Sequence, residues 1–214
     1  MKTTLLLDID STVFDTAAYK RSLADALGSE LGFENVADFE IIFRKAMQST
    51  LQSCSYFDPT FFIKEMYAVR RRDTTLEVLD EIFWSDSLFC NKLYPDVVGF
   101  LTELSSNDTV LLTIHSTGDL RHQRRKIQEI LHFFKDENIH IFRDKIAVIE
   151  NTLEQYSDDN VIVIDDREEV LRAAKLVREN IQTVLVVREG EALPKPEGVT
   201  MVSSTLSDII TLID

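Results

Sequence analysis

The chain has 214 residues, 44% apolar and 28% charged, so it can bury a sizeable core and is not disordered. Its formal charge of −14 argues against nucleic acid or an anionic membrane as an electrostatic partner. A local cationic pocket and divalent cations stay open.

Two cysteines, Cys54 and Cys90, supply neither a disulfide framework nor a zinc motif. The apolar run before Asp8 is too short for a signal peptide, and no stretch approaches the ~20 apolar residues that cross a bilayer. A reducing, cytoplasmic compartment is therefore expected.

In chain order, Thr3 to Leu7 reads as a strand that runs straight into Asp8 and Asp10. Between 16 and 93, AAYKRSLADALGSELG, VADFEIIFRKAMQSTLQ, PTFFIKEMYAVRRR and TLEVLDEIFWSDSLF carry apolar residues at three- and four-residue spacing. That spacing predicts helices and no strand. From Asp96 onward the text alternates. PDVVGFLTELS predicts a helix, TVLLTIH a strand, LRHQRRKIQEILHFF a helix and IHIF a strand. KIAVIENTLEQY (helix), NVIVID (strand), REEVLRAAKLVREN (helix) and TVLVV (strand) follow, then VTMV as a further short strand and STLSDIITLID as a closing helix.

These strands are short, β-branched and nearly all apolar, as expected where helices cover both faces of a sheet. The alternation predicts an α/β fold with a doubly wound parallel sheet. This core spans 1–15 and 94–214, and an all-helical cap of residues 16–93 interrupts it. Right-handed crossovers place the C-terminal end of every strand on one edge, where ligands bind.

Polar residues stand where strands run out: Asp8 and Asp10, Ser116 and Thr117, Lys145, then Asp165 and Asp166. Singly, each acidic pair also fits a strand end with a helix cap. Together, four carboxylates on one edge repel one another, and a bound hard cation compensates them. Oxygen-only ligands with no His or Cys nearby suit magnesium.

LLLDIDSTVFDT resembles the first motif, D-x-D-x-[TV], of the haloacid dehalogenase-like phosphatase superfamily. HSTGDLRHQRRKI resembles the second motif, with a Gly-Asp and a Q-x-x-K helix; FRDKIAVIENTLEQY resembles the third and VIVIDDREEVLRAA the acidic fourth. YPDVVGFLTELS looks like the helix that precedes the second motif. The resemblance covers the core almost end to end, and the cap in position and helical character, which corresponds to the C1 type.

The resemblance implies a magnesium-dependent phosphomonoesterase acting on a small phosphorylated metabolite. Asp8 would be the nucleophile, forming an aspartyl-phosphate. Asp10 would protonate the leaving alcohol and then deprotonate water, which asks for a raised pKa. Ser11 and Thr12 would orient the loop. Ser116 would hold a phosphoryl oxygen, with Thr117 and Thr113 as competing hydroxyls; Thr113 reads as packed in the strand and His115 as a strand-end residue. Lys145 would neutralise charge shared by Asp8 and the phosphoryl group. Its rival Lys126, amid Arg121, Arg124 and Arg125, reads as a solvated helix face. Magnesium would be held by Asp8, the backbone carbonyl of Asp10, and Asp166, with Asp165 as second ligand or supporting acid. The Asp-Asp form of the fourth motif leaves open which of the two touches the metal.

The cap would exclude water and select the substrate. Phe57, Phe61, Phe62, Phe83 and Trp84 read as its own core, and Arg70, Arg71 and Arg72 as a solvated turn or, less simply, an anion attractor. Competing readings are phosphoryl transfer on a sugar phosphate and a non-catalytic regulatory module, against which Asp8 argues. Halogen-removing members lack the second acid that Asp10 supplies. A P-loop or dinucleotide enzyme is excluded by the missing glycine fingerprints.

Overall fold

β1 (Thr3–Leu7) is buried at all five positions, because both faces of the sheet are covered. Five helices follow first: α1 (Thr16–Glu30), α2 (Val36–Cys54), α3 (Pro59–Ala68), α4 (Leu76–Phe83) and α5 (Asp86–Phe89). Then come α6 (Val97–Ser105), β2 (Val110–Thr117), α7 (Leu120–Lys126), β3 (Ile139–Phe142) and α8 (Ile149–Glu154). β4 (Asn160–Asp165), α9 (Glu168–Val177), β5 (Gln182–Val186) and β6 (Met201–Ser203) complete the regular elements. This computed structural model describes residues 2–157, 159–188 and 195–213.

The sheet is parallel throughout, in the order β3-β2-β1-β4-β5-β6. The chain winds outward through β2 and β3, then returns to β4 on the other side of β1. The switch point therefore lies at the C-terminal ends of β1 and β4, where such sheets bind ligands. Side-chain alternation splits the core. Leu5, Leu7, Ile114 and Ile164 join the apolar layer of the cap helices and α6, while Leu6, Val161 and Val163 pack with α8 and α9. Among the described residues no helix is long and apolar enough to cross a membrane.

Several elements differ from the sequence expectation for local reasons. The helix expected over 120–134 ends at Lys126 and tightens to a 3₁₀ helix, Gln128–Phe133. Ile127 and Ile130 are buried three residues apart, a spacing that suits three residues per turn. The helix expected over 145–156 begins only at Ile149, because Asp144 accepts from the N–H groups of Ile146 (3.0 Å) and Ala147 (3.2 Å) and sets a turn there. The pattern 75–89 breaks at Ser85, giving α4 and α5, and the closing helix is 3₁₀ over Leu206–Leu212. Position 214 of that expectation lies outside the described residues.

One polar knot ties distant segments together. Arg188 donates to both oxygens of Asp96 (2.9 and 2.8 Å) and, through Nε and Nη2, to the carbonyl of Thr12 (3.0 and 2.6 Å). Asp96 also accepts from the Leu206 N–H at 2.5 Å and the Thr205 hydroxyl at 3.0 Å. Burial would raise the Asp96 pKa, but these donors outweigh it and hold the carboxyl low. Breaking one side of such a buried pair leaves an uncompensated charge. Asp96→Ala is expected to cost about 3 kcal/mol of folding stability, measured by urea denaturation; a loss within experimental error would contradict this.

Candidate active site

Asp8 leaves the end of β1 buried, and the strand register sets its neighbours. Leu7 pairs with Ile114 and with Ile164, so Asp8 stands level with His115 and Asp165. Ser116 Oγ donates to Asp8 Oδ1 at 2.9 Å, and Lys145 Nζ donates to the same oxygen at 2.5 Å. Lys145 also meets Asp165 Oδ2 at 2.5 Å and is only 1% exposed. Its backbone N–H donates to Thr117 Oγ1 at 3.3 Å. Burial pushes the Lys145 ammonium toward neutrality, but Asp8 and Asp165 outweigh it and raise its pKa. The structure thus brings Asp8, Ser116, Thr117, Lys145, Asp165 and Asp166 together at one sheet edge.

Asp10 occupies a second layer. It accepts from Lys126 Nζ (2.6 and 2.8 Å), Gln123 Nε2 (2.8 Å) and Thr16 Oγ1 (2.6 Å). Burial acts to raise its pKa, yet Lys126 and these hydrogen bonds prevail and hold it well below the usual carboxylate range. The raised pKa expected of Asp10 is therefore absent here, and its cause is Lys126.

Lys126 itself departs from the expectation of a solvated helix face. Asp119 caps α7 by accepting from the His122 N–H at 2.8 Å. The helix then buries His122, Gln123 and Lys126 on one face and turns its arginines outward. Gly118 has φ +149°, and a Cβ there would lie 2.7 Å from Gln123 Nε2. Only glycine lets Gln123 close on Asp10.

The first-motif loop is held through its backbone as well as its side chains. Ser11 sits at φ 56°, with its N–H donating to the Phe14 carbonyl (2.9 Å) and Thr16 Oγ1 (3.1 Å), and the Thr12 carbonyl is held by Arg188. Thr113 is fully buried in β2, as expected, and its hydroxyl has no partner among the described residues. His115 is buried beside Phe142, away from the cavity; burial and the Lys145 charge depress its pKa to about 3.

A cavity of about 340 Å³ opens over Asp8 and Asp10, with Ser116, Thr117, Lys126, Lys145 and Asp166 in its wall. Phe57 also lines it, beyond its expected place in the cap core, whereas Phe62 and Phe83 are buried. Arg72 pairs with Glu30 at 2.9 Å, while Arg70 and Arg71 lie over the rings of Tyr67 and Phe33. None of the three arginines lines the cavity.

Oxygens of Asp8, Asp165 and Asp166 lie within 4.8 Å of one another, a set that fits a hard cation. Asp165 spends its oxygens on Lys145 and on the Arg167 N–H (3.0 Å). Asp166 has no hydrogen-bond partner among the described residues and faces the cavity. Burial and the neighbouring Asp8 charge raise the pKa of both Asp165 and Asp166 above the usual carboxylate range. Such a cluster takes up either protons or a cation.

No protein-family profile and no curated protein matches the sequence. Solved structures do. A protein of Burkholderia xenovorans LB400 assigned as a haloacid dehalogenase-like hydrolase superimposes with a TM-score of 0.76 at 21% identity, covering 98% of this chain and 97% of that one. The fold is that of the haloacid dehalogenase-like hydrolases. YfnB of Bacillus subtilis, assigned as a HAD-hydrolase and solved with magnesium, matches at 0.70 and 14% identity, over 100% and 99% of the two chains. A Clostridium difficile protein assigned as a phosphatase matches at 0.64 and 18%, over 99% and 97%. Structures of 2-haloacid dehalogenases match as well.

The raised acids give stability a sign with pH. Both bind protons in the native state that the unfolded chain, with carboxyl pKa near ~4, has released. Stability therefore falls as pH rises through the native values. Below about pH 6.5 the depressed His115, His122 and His140 act oppositely, because the unfolded chain then takes up their protons. The metal-free protein is expected to lose melting temperature as the pH rises above about 6.5, and magnesium to flatten the loss. Melting curves in chelator and in magnesium check this; a flat chelator series would contradict it.

Proposed function

We propose that the chain is a magnesium-dependent phosphomonoester hydrolase, with residues 16–93 as a cap over a core of 1–15 and 94–214. The observation that carries the reading is the second acid, Asp10, fixed by Thr16, Gln123 and Lys126 over the same cavity as Asp8. Two displacements at phosphorus need a nucleophile and a separate proton carrier.

Among the described residues, the side-chain donors Ser116 and Lys145 both meet Asp8 at Oδ1, which leaves Oδ2 for attack. Attack at phosphorus forms the aspartyl-phosphate and breaks the bond to the leaving alcohol, which takes its proton from Asp10. Asp10 then removes a proton from water, and the water oxygen releases phosphate from Asp8. Held ionised by Lys126, Asp10 suits the second step as it stands. For the first step the Lys126 contact must loosen, and a phosphoryl group entering beside Lys126 competes for that ammonium. Ser116 and Lys145 steady Asp8 and the phosphoryl oxygens. Magnesium, held by Asp8, Asp166 and the Asp10 carbonyl, would supply charge neutralisation, with Asp165 orienting Lys145.

A second reading is carbon–halogen hydrolysis, favoured by the matched 2-haloacid dehalogenases. It gives no work to Asp10 or to a magnesium site. Phosphorylated metabolites and 2-haloacids assayed side by side separate the two: phosphate release that is lost in Asp8→Asn and in excess chelator is expected. Halide release without phosphate release would overturn the proposal.

Lys126→Met is expected to move the acid limb of the kcat pH profile to higher pH, because the Asp10 that must be ionised to activate water loses the charge that depresses it. Turnover should also fall on the order of a hundredfold, the scale of one lost charge-stabilising donor. An unmoved acid limb would remove Lys126 from the scheme.

A further inference from the structure

We propose that this cavity selects phosphate esters of a single flat, largely apolar ring over phosphorylated polyols, an inference that rests on the phosphatase reading. The cavity is two-ended. Lys126, Lys145, Ser116 and the acids occupy one end. The other wall, from α1, the last turns of α2 and the loop after it, presents Tyr19, Met47, Leu51, Tyr56 and Phe57, backed by the ring of His122.

The Tyr19 and His122 part of that wall has its hydrogen-bonding groups already paired. Tyr19 Oη and His122 Nε2 lie 3.0 Å apart and satisfy each other. His122 is enclosed by rings, with centroids of Phe57 at 5.2 Å, Phe83 at 5.4 Å and Tyr19 at 5.5 Å. The polar lining side chains Lys20 and Ser55 are exposed, at the opening. Sugar hydroxyls seated against this wall would lose water without equal replacement, whereas an aromatic ring gains contact area.

The wall is also fixed in advance. Ser55 ends α2 in the left-handed region at φ 64°, and Phe57 packs on Phe62 at 5.3 Å. A pre-set surface costs little ordering on binding. At about 340 Å³ the space is at the small end for ligand sites, which suits one ring.

Benzyl phosphate and glycerol phosphate, both esters of simple alcohols, test the inference with magnesium present. The expected kcat/KM ratio favours benzyl phosphate by about tenfold or more, the scale of burying one ring face. Leu51→Asn and Tyr56→Ser should narrow that ratio; Leu51 is 49% exposed, so its replacement leaves folding intact. Equal rates, or a preference for glycerol phosphate or a hexose phosphate, would overturn the inference while leaving phosphatase chemistry standing. Thermal-shift titration with benzylphosphonate against methylphosphonate reads the wall without turnover. Tighter benzylphosphonate binding by a protein inert to every ester would keep the ring site and sink the hydrolase reading. Equal phosphonate binding would sink the ring site.

Discussion

The site depends on one buried ammonium. Lys145 bridges Asp8 and Asp165 at 2.5 Å each, in a place where none of the three is solvated. An unpaired charge there would cost several kcal/mol or neutralise itself. The sheet hydrogen-bond ladder makes the pairing possible, because parallel register brings the residues after Leu7 and Ile164 level. Adding Asp166 leaves three acids against one lysine. Backbone geometry thus gathers more carboxyl groups than one lysine can neutralise, and the excess is met by protons or by a hard cation.

A single short helix joins this centre to the helices above it. α7 sends Gln123 and Lys126 to Asp10 and sends His122 into the aromatic cluster of Tyr19, Phe57, Phe83, Trp84 and Phe89. His122 and the Asp10 partners Gln123 and Lys126 lie within about one helical turn, so the ring cluster and Asp10 share one short piece of backbone. The first-motif loop answers from the other side, since Thr16 at the start of α1 also holds Asp10.

The sheet and the acids were legible because their signals are local. β1 and β4 are apolar runs stopped by carboxylates, and a parallel sheet has one C-terminal edge on which they meet. Lys126 was obscured by its arginine neighbours, although Asp119 as cap with Gln123 and Lys126 three apart marks a shared helix face. Arg188 was invisible, because nothing in VVRE tells that its partners are Asp96 and a carbonyl at Thr12. Charge pairing across so many residues leaves no periodic trace. The cap helices were legible as helices; which of their aromatics faces the cavity depends on packing between elements, and Phe57 does both.

The Arg188 knot has a consequence for how the protein is made. The Thr12 carbonyl waits for a partner 176 residues further along the chain. During synthesis the strand end that carries Asp8 and Asp10 emerges first, and its contact with Arg188 forms only after β5 has left the ribosome. The turn's own bonds, such as those of Val13 and Phe14 N–H to the Ile9 carbonyl, are local, whereas the Arg188 contact must close the longest loop of the site. A nascent chain therefore passes through a stage in which its sheet can begin to form before its acidic site is complete.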